Sequence, residues 1–337
     1  MPPSQQGEPG TEGEPGRVSE PGTEGEPGRV SEPGTEGEPG SVSEPGTEGE
    51  PGSVSEPGNF SDPGNLAERR ARAGRNLPAA LAVGLALGAL ALLTLFTIKI
   101  LFLVVVGVAV ALALWELTRA LRTRDIRLPL VPVVTGGSVM IALAYWRGER
   151  PLVAALAITV IVVMSWRLPG ASAGYLRDVA AGLFALAYLP LMASFVALML
   201  APADGPRRTV VFLILVVCSD VGGYAAGSLL GRHLLVPKIS PKKTWEGSAG
   251  AALACVVAGA ILLPTVLHAP VWQGVVLGVA AVATATLGDL SESMIKRDLG
   301  IKDMGTVLPG HGGALDRIDA MLVSAPVIWL LLTIFIR

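Results

Sequence analysis

The residues able to do chemistry gather near the C-terminal end of the chain. Residues 288–319 read GDLSESMIKRDLGIKDMGTVLPGHGGALDRID. Asp289, Glu292, Lys296, Arg297, Asp298, Lys302, Asp303, His311, Asp316, Arg317 and Asp319 all fall here, between two long apolar runs. Asp289 ends the first run and Asp316 nearly begins the second. Two carboxylates at facing helix ends can share a divalent cation. Mg²⁺ favours such hard oxygen ligands and leaves room for phosphate oxygens. A solvated helix end would account for either carboxylate alone. Asp289, Glu292, Ser293 and Lys296 are spaced i, i+3, i+4, i+7, which is one face of a helix. Acid and ammonium on one face suit a metal–phosphate site, or a surface ladder of ion pairs. Pro309-Gly310-His311-Gly312-Gly313 is a turn of little bulk, whose backbone can approach a phosphate closely.

Two more polar features interrupt apolar sequence. Ser240-Pro241-Lys242-Lys243-Thr244-Trp245-Glu246-Gly247-Ser248 opens with a helix-start signal, Ser as cap and Pro in the first turn. Free N–H groups there, beside Lys242 and Lys243, would form an anion site. A basic loop anchored to lipid headgroups is the plainer alternative. Asp220 lies inside an apolar run, before Gly222-Gly223-Tyr224. An acid within a span is costly and is by default a functional candidate. Pairing with a neighbouring helix would also explain it.

The elements that must position these groups are membrane spans. The chain has 337 residues, 16% charged, and a mean hydropathy of +0.55. Apolar runs occupy residues 77–98, 100–118, 129–146, 151–166, 178–200, 209–230, 249–268, 270–288 and 318–336. Runs of this length predict an all-α, polytopic membrane protein of about nine transmembrane helices. With the N-terminus in the cytoplasm, 18 of the 24 basic residues after residue 66 fall on the inner side. Both polar segments then face the cytoplasm, where nucleoside triphosphates are found.

Residues 1–66 are different. From Glu8 a twelve-residue unit, EPGTEGEPGRVS or EPGTEGEPGSVS, repeats four times. Pro and Gly at this density forbid regular helix or strand, and no apolar face exists to bury, so a disordered tail is expected. The tail holds 14 acidic and 2 basic residues, whereas the rest holds 14 and 24. The tail lacks the basic and apolar regions of a signal peptide. Cys218 and Cys255 both fall in apolar runs, without disulfide or zinc spacing. The organisation expected is therefore a tail at 1–66, N-terminal spans at 67–208 and a catalytic region at 209–337.

The residues also carry a family resemblance. Ser293-x-Ile295-Lys296-Arg297, Lys302-Asp303-x-Gly305, Leu308-Pro309-x-His311-Gly312-Gly313 and Asp316-Arg317-x-Asp319 resemble the signature of phosphatidate cytidylyltransferases. The SPKKTWEGS stretch is similar to that family's second hallmark, and Asp220-x-Gly222-Gly223-Tyr224 to a third. Ala314 departs mildly, since a larger apolar residue is common there. The resemblance is strong over about residues 209–337, and the N-terminal repeat has no counterpart in it. It implies a bacterial inner-membrane enzyme that makes CDP-diacylglycerol and pyrophosphate from CTP and phosphatidate, with Mg²⁺ required. It places the metal on Asp289 and Asp316, with a second ion such as K⁺ beside it, and implies a homodimer by analogy.

On this reading Lys296, Arg297 and Arg317 neutralise phosphates during transfer. Ser240, Lys242, Lys243, Thr244, Glu246 and Lys302 hold substrate. Asp220 and Asp319 orient these groups, and His311 contacts a phosphate. No nucleic-acid partner is expected. A CTP-dependent polyprenol or phytol kinase is the alternative. A CDP-alcohol phosphatidyltransferase would need a DG-x₂-AR pattern, but Asp204-Gly205 is followed by Pro-Arg-Arg. A transporter would need charges deep in several spans, and no P-loop is present.

Overall fold

Away from water, backbone N–H and C=O groups must pair within their own segment, so long apolar runs fold as helices. The structure, a computed structural model, describes residue 84 and residues 86–169, 173–237, 239–305 and 313–336, with Pro241 and Lys242 described in backbone alone. A short helix, α1 (Ala86–Thr97), comes first. It is followed by α2 (Lys99–Arg122), α3 (Leu130–Arg147), α4 (Glu149–Trp166), α5 (Tyr175–Leu186) and α6 (Met192–Leu200). Then come α7 (Gly205–Leu230), α8 (Trp245–Leu267), α9 (Val271–Leu299) and α10 (Leu315–Phe335). One π-helical turn, Ala187–Leu191, joins α5 to α6 around Pro190. Counting Tyr175–Leu200 as one, eight helices among the described residues are long and apolar enough to cross a membrane. The chain is an all-α polytopic membrane protein. The first expected span, 77–98, is described only from α1 onward, and the repeat tail lies outside the described residues.

Two groups of helices pack differently. In α2–α6 the core is made of large side chains, among them Leu114, Leu117, Met140, Leu186, Leu189, Met199 and Leu200, all under 2% exposed. In α7–α9 the backbones themselves meet. Gly259 and Gly274 face each other so closely that a methyl group on either would strike the other's carbonyl. Gly278 sits in the same way against the Cys255 carbonyl, and Gly222 against the Gly250 carbonyl and the Ala254 methyl. Without a hydrophobic drive between helices in lipid, such small residues allow close van der Waals packing. At Gly288 the backbone of α9 comes up against Asp319 and Ala320 of α10.

The polar segments sit at one end of this bundle. Antiparallel α7–α10 bring together the C-terminal halves of α7 and α9 and the N-termini of α8 and α10. α9 does not stop at Asp289 as the apolar run does. It continues to Leu299, where Gly300 at φ 71° ends it with its N–H on the carbonyls of Arg297 and Lys296. A left-handed glycine is the usual helix stop. The expected helix start at Ser240-Pro241 is not what forms. Ser240–Thr244 is a strand, β2, paired antiparallel with β1 (Leu234–Val236). Thr244 rather than Ser240 caps α8, its hydroxyl accepting from Gly247 N at 3.1 Å. Val236 on β1 pairs with Ser240, which ties that residue into the hairpin instead.

Candidate active site

A cavity of about 330 Å³ opens between α7, β2, α8 and α9, lined by Asp220, Tyr224, Ser240, Lys243, Thr244, Ser248, Thr286 and Asp289 among others. Across it Lys243 Nζ donates to Asp289 Oδ2 at 2.5 Å. Both side chains are about 30% exposed, so the pair is reachable from the cavity. Asp220 interacts electrostatically with Asp289, Lys243 and Arg317. Glu246 faces another way. One of its oxygens accepts from Arg232 N at 3.1 Å and His233 N at 3.2 Å, and the other meets His233 Nδ1 at 2.6 Å.

One turn further along α9 lies a second cluster. Lys296 Nζ is 2.5 Å from Glu292 Oε2 and donates to Asp316 Oδ1 at 3.0 Å. Asp316 Oδ2 accepts from Gly313 N at 2.9 Å and Met304 N at 3.3 Å. The helical spacing of Asp289, Glu292 and Lys296 is thus real, but the face is divided. Asp289 turns to β2, while Glu292 and Lys296 turn to α10. Asp319 is buried and interacts with Asp289, Lys296 and Asp220. Three blocks distant in sequence therefore converge: Asp220; Lys243; and the α9–α10 groups.

Other expected residues fall elsewhere. Arg297 and Lys302 are exposed past this cluster. His311 and the Lys242 side chain lie outside the described residues. Asp289 and Asp316 are each matched by a different lysine, Lys243 and Lys296.

Sequence reasoning missed two groups. Glu116 of α2 is only 1% exposed, and its Oε2 accepts from Leu315 N at 3.0 Å at the start of α10. The same rule that singled out Asp220, an acid inside a span, would have found it. Tyr188, in the π turn, is buried and interacts with Asp319, Glu292 and Asp289. Nothing in the sequence announces that tyrosine. A π turn at such a place is a frequent companion of functional sites.

The donor set can be tested against Mg²⁺. Asp220, Asp289, Glu292, Asp316 and Asp319 stand against Lys243, Lys296 and Arg317 in this region. Acid is thus in excess among the described residues, and every acid offers hard oxygens. Glu292 Oε1 is buried with no hydrogen-bonding partner among them. Among the described residues, no group of three or more His, Cys, Asp or Glu is gathered closely enough to hold an ion alone. Mg²⁺ commonly takes one or two carboxylates and completes its shell with water and substrate phosphate, so the residues fit.

A larger cavity, about 650 Å³, lies at the other end of the bundle, lined by Arg147, Arg150, Arg208, Leu198, Met199 and Trp329 among others. It is roomier, but the acid in its lining, Glu149, stands beside arginines and no lysine lines it.

Comparison with known proteins places the sequence in a family. The model of the cytidylyltransferase family matches residues 79–335. The phosphatidate cytidylyltransferase of Mycobacterium leprae (strain TN) is 44% identical over 280 residues, covering 78% of this chain and 89% of that protein. The protein of that name from Mycobacterium tuberculosis (strain ATCC 25618 / H37Rv) is 40% identical over 285 residues, covering 80% and 86%. One from Brucella suis biovar 1 (strain 1330) is 42% identical over 160 residues, 46% of this chain and 57% of that protein.

Proposed function

The chain belongs to the cytidylyltransferase family, and on that premise we propose that it is a phosphatidate cytidylyltransferase of a bacterial inner membrane. It takes CTP and phosphatidate and forms CDP-diacylglycerol and pyrophosphate. The observation that carries the reading is the pair of lysine–carboxylate contacts, Lys243–Asp289 and Lys296–Asp316, set at one end of an apolar bundle. Neither contact is an ordinary surface ion pair, since each joins two different elements and is partly buried.

A phosphatidate oxygen, already anionic, attacks the α-phosphorus of CTP. The new P–O bond forms as the bond to the bridging oxygen of the β-phosphate breaks, and pyrophosphate leaves. No strong base is required. The difficulty is to bring two polyanions together and to stabilise charge on the leaving group. Lys243 and Lys296 are each held by a carboxylate, so their ammonium groups are fixed in place before substrate arrives. Arg317 and Arg297 add positive charge at the same border. Ser240 and Thr244 line the cavity beside Lys243 and offer hydroxyls to a phosphate or ribose. Asp220 and Asp319 orient the cations. Asp289 and Asp316, with Asp220 and Glu292 near them, would hold Mg²⁺, which would supply charge neutralisation along the triphosphate. The acyl chains enter sideways from the bilayer between apolar helices. The N-terminus and this end of the bundle face the cytoplasm, as the 18 of 24 basic residues on that side favour.

The test is incubation of the purified protein with phosphatidate, Mg²⁺ and CTP labelled in the α- or the γ-phosphate. Label from the α-phosphate should enter a lipid identified as CDP-diacylglycerol, and γ-label should appear only in pyrophosphate. Transfer of γ-label to a lipid alcohol would instead identify a CTP-dependent lipid kinase and overturn the proposal.

A further inference from the structure

We infer that Glu116, from the N-terminal helices, is a positioning residue that sets Asp316 and the neck of the loop before it. The inference rests on the cytidylyltransferase reading of the site. Glu116 is carried by α2, inside the long apolar run Lys99–Arg122, and is 1% exposed. An acid buried there is costly unless its oxygens are used.

Two observations say what it is used for. Glu116 Oε2 accepts from Leu315 N at 3.0 Å. Leu315 is the first residue of α10, and its N–H is one of those a helix leaves unpaired. A carboxylate at that point also meets the positive end of the helix dipole. Independently, Gly305 and Gly313 close over the same carboxyl group. A methyl group at Gly305 would collide with Glu116 Oε1, and one at Gly313 would lie 2.7 Å from Oε2 and 2.9 Å from Gly305 N. Residues 305 and 313 are therefore drawn together, with Glu116 against both. From the other side Asp316 Oδ2 accepts from Gly313 N at 2.9 Å and Met304 N at 3.3 Å.

The neck is thus held between two acids. Asp316 reaches from it to Lys296 through Oδ1. Glu116 reaches back into the N-terminal helices, and its Oε1 is buried with no hydrogen-bonding partner among the described residues. Contact runs from Glu116 through Leu315 and Gly313 to Asp316 and Lys296. What matters in this arrangement is the reach of the acceptor to Leu315 N.

Reach and charge separate in two variants of the full-length protein. Glu116→Gln keeps an oxygen at the same distance and loses the charge. Glu116→Asp keeps the charge and falls one methylene short. With CTP and phosphatidate, the Gln variant should retain kcat within about threefold, as expected when one neutral acceptor replaces a charged one. The Asp variant should lose about thirtyfold or more in kcat with little change in KM for CTP, since a misplaced group acts on the transition state. Amide hydrogen exchange in peptides covering residues 313–320 should quicken about tenfold in the Asp variant and not in the Gln variant. Parental kcat and exchange in Glu116→Asp would overturn the inference, as would a Gln variant as damaged as the Asp one. If Glu116→Asp does not assemble, Gly305→Ala presses on the same carboxyl from the loop side and must give the same loss and the same exchange. A parent protein that does not turn over phosphatidate would refute the proposed reaction, and the exchange contrast would still decide the role of Glu116.

Discussion

Asp178 and Glu292 are both acids buried among apolar helices, yet the two ends of the chain use them in opposite ways. Asp178, at the start of α5, has both oxygens satisfied: Oδ1 accepts from Arg127 N at 2.8 Å and Oδ2 pairs with Arg167. Glu292, in α9, is paired with Lys296 on one oxygen and has no partner among the described residues on the other. Asp289, one turn away, borders a cavity of about 330 Å³. A fully satisfied buried acid fastens one element to another. An acid with spare acceptor capacity beside a cavity is available to a ligand. Packing follows the same division, with large interdigitated side chains in α2–α6 and close backbones in α7–α9.

The contrast breaks most visibly at the acids themselves. Asp289→Asn should reduce CTP incorporation about 10³-fold, the scale of removing a preorganised electrostatic group, while leaving membrane insertion intact. Asp178→Asn should do the reverse. It leaves Arg167 with a neutral partner in a buried setting and should destabilise the protein by about 3 kcal/mol, with turnover per folded molecule unchanged. Thermal unfolding in detergent together with the labelled-CTP assay measures both. Retained activity in Asp289→Asn would remove it from the site, and a stable but inactive Asp178→Asn would erase the distinction.

The packing contrast is smaller and has its own pair of variants. Leu117→Ala in the side-chain core should cost about 2 kcal/mol, the low end of the usual range, because lipid supplies little hydrophobic drive and only packing is lost. Gly274→Ala adds a single methyl group, but it strikes the Gly259 carbonyl. The helices must part, at a cost of about 1–3 kcal/mol. The two variants differ in consequence more than in size. Parting α8 from α9 also moves Asp289 relative to Lys243, so Gly274→Ala should lower kcat in the folded protein and Leu117→Ala should not. Equal kcat in both would separate backbone packing from site geometry.

The helices were legible because length and apolarity decide them, whatever their neighbours. The convergence of Asp220, Lys243 and the α9–α10 groups was legible because alternating spans put the three blocks at one end. What was not legible required a partner. Asp289 looked like a helix terminus because apolarity stops there, but the hydrogen-bonded ladder runs on to Gly300. Ser240 looked like a cap because Pro follows it, but pairing with β1 made a strand and passed the cap to Thr244. Glu116 is the lone acid of α2, and its use depends on two glycines almost two hundred residues away in sequence. His311 and the Lys242 side chain lie outside the described residues, so neither bears on this comparison.

Glu246 gives the finest test, because the sequence placed it with the substrate-holding residues and the structure shows what it touches. Its carboxylate accepts from two consecutive backbone N–H groups, Arg232 and His233, and meets the His233 ring. Those contacts tie the end of α7 to the start of α8, and Lys243 is carried between them on β2. That is the manner of Asp178, a fastener, at the border where the other acids face the site. Glu246→Gln keeps an acceptor for both N–H groups and loses the charge and the second oxygen that meets the His233 ring. For a partly exposed pair the effect should be slight, about threefold or less in KM for CTP with kcat unchanged. Glu246→Ala loses both acceptors and should loosen the β1–β2 hairpin, raising KM about tenfold. Steady-state kinetics on the two variants decides the matter. A hundredfold rise in KM for the Gln variant would mean that the carboxylate meets substrate directly, and Glu246 would then belong with Asp289 rather than with Asp178.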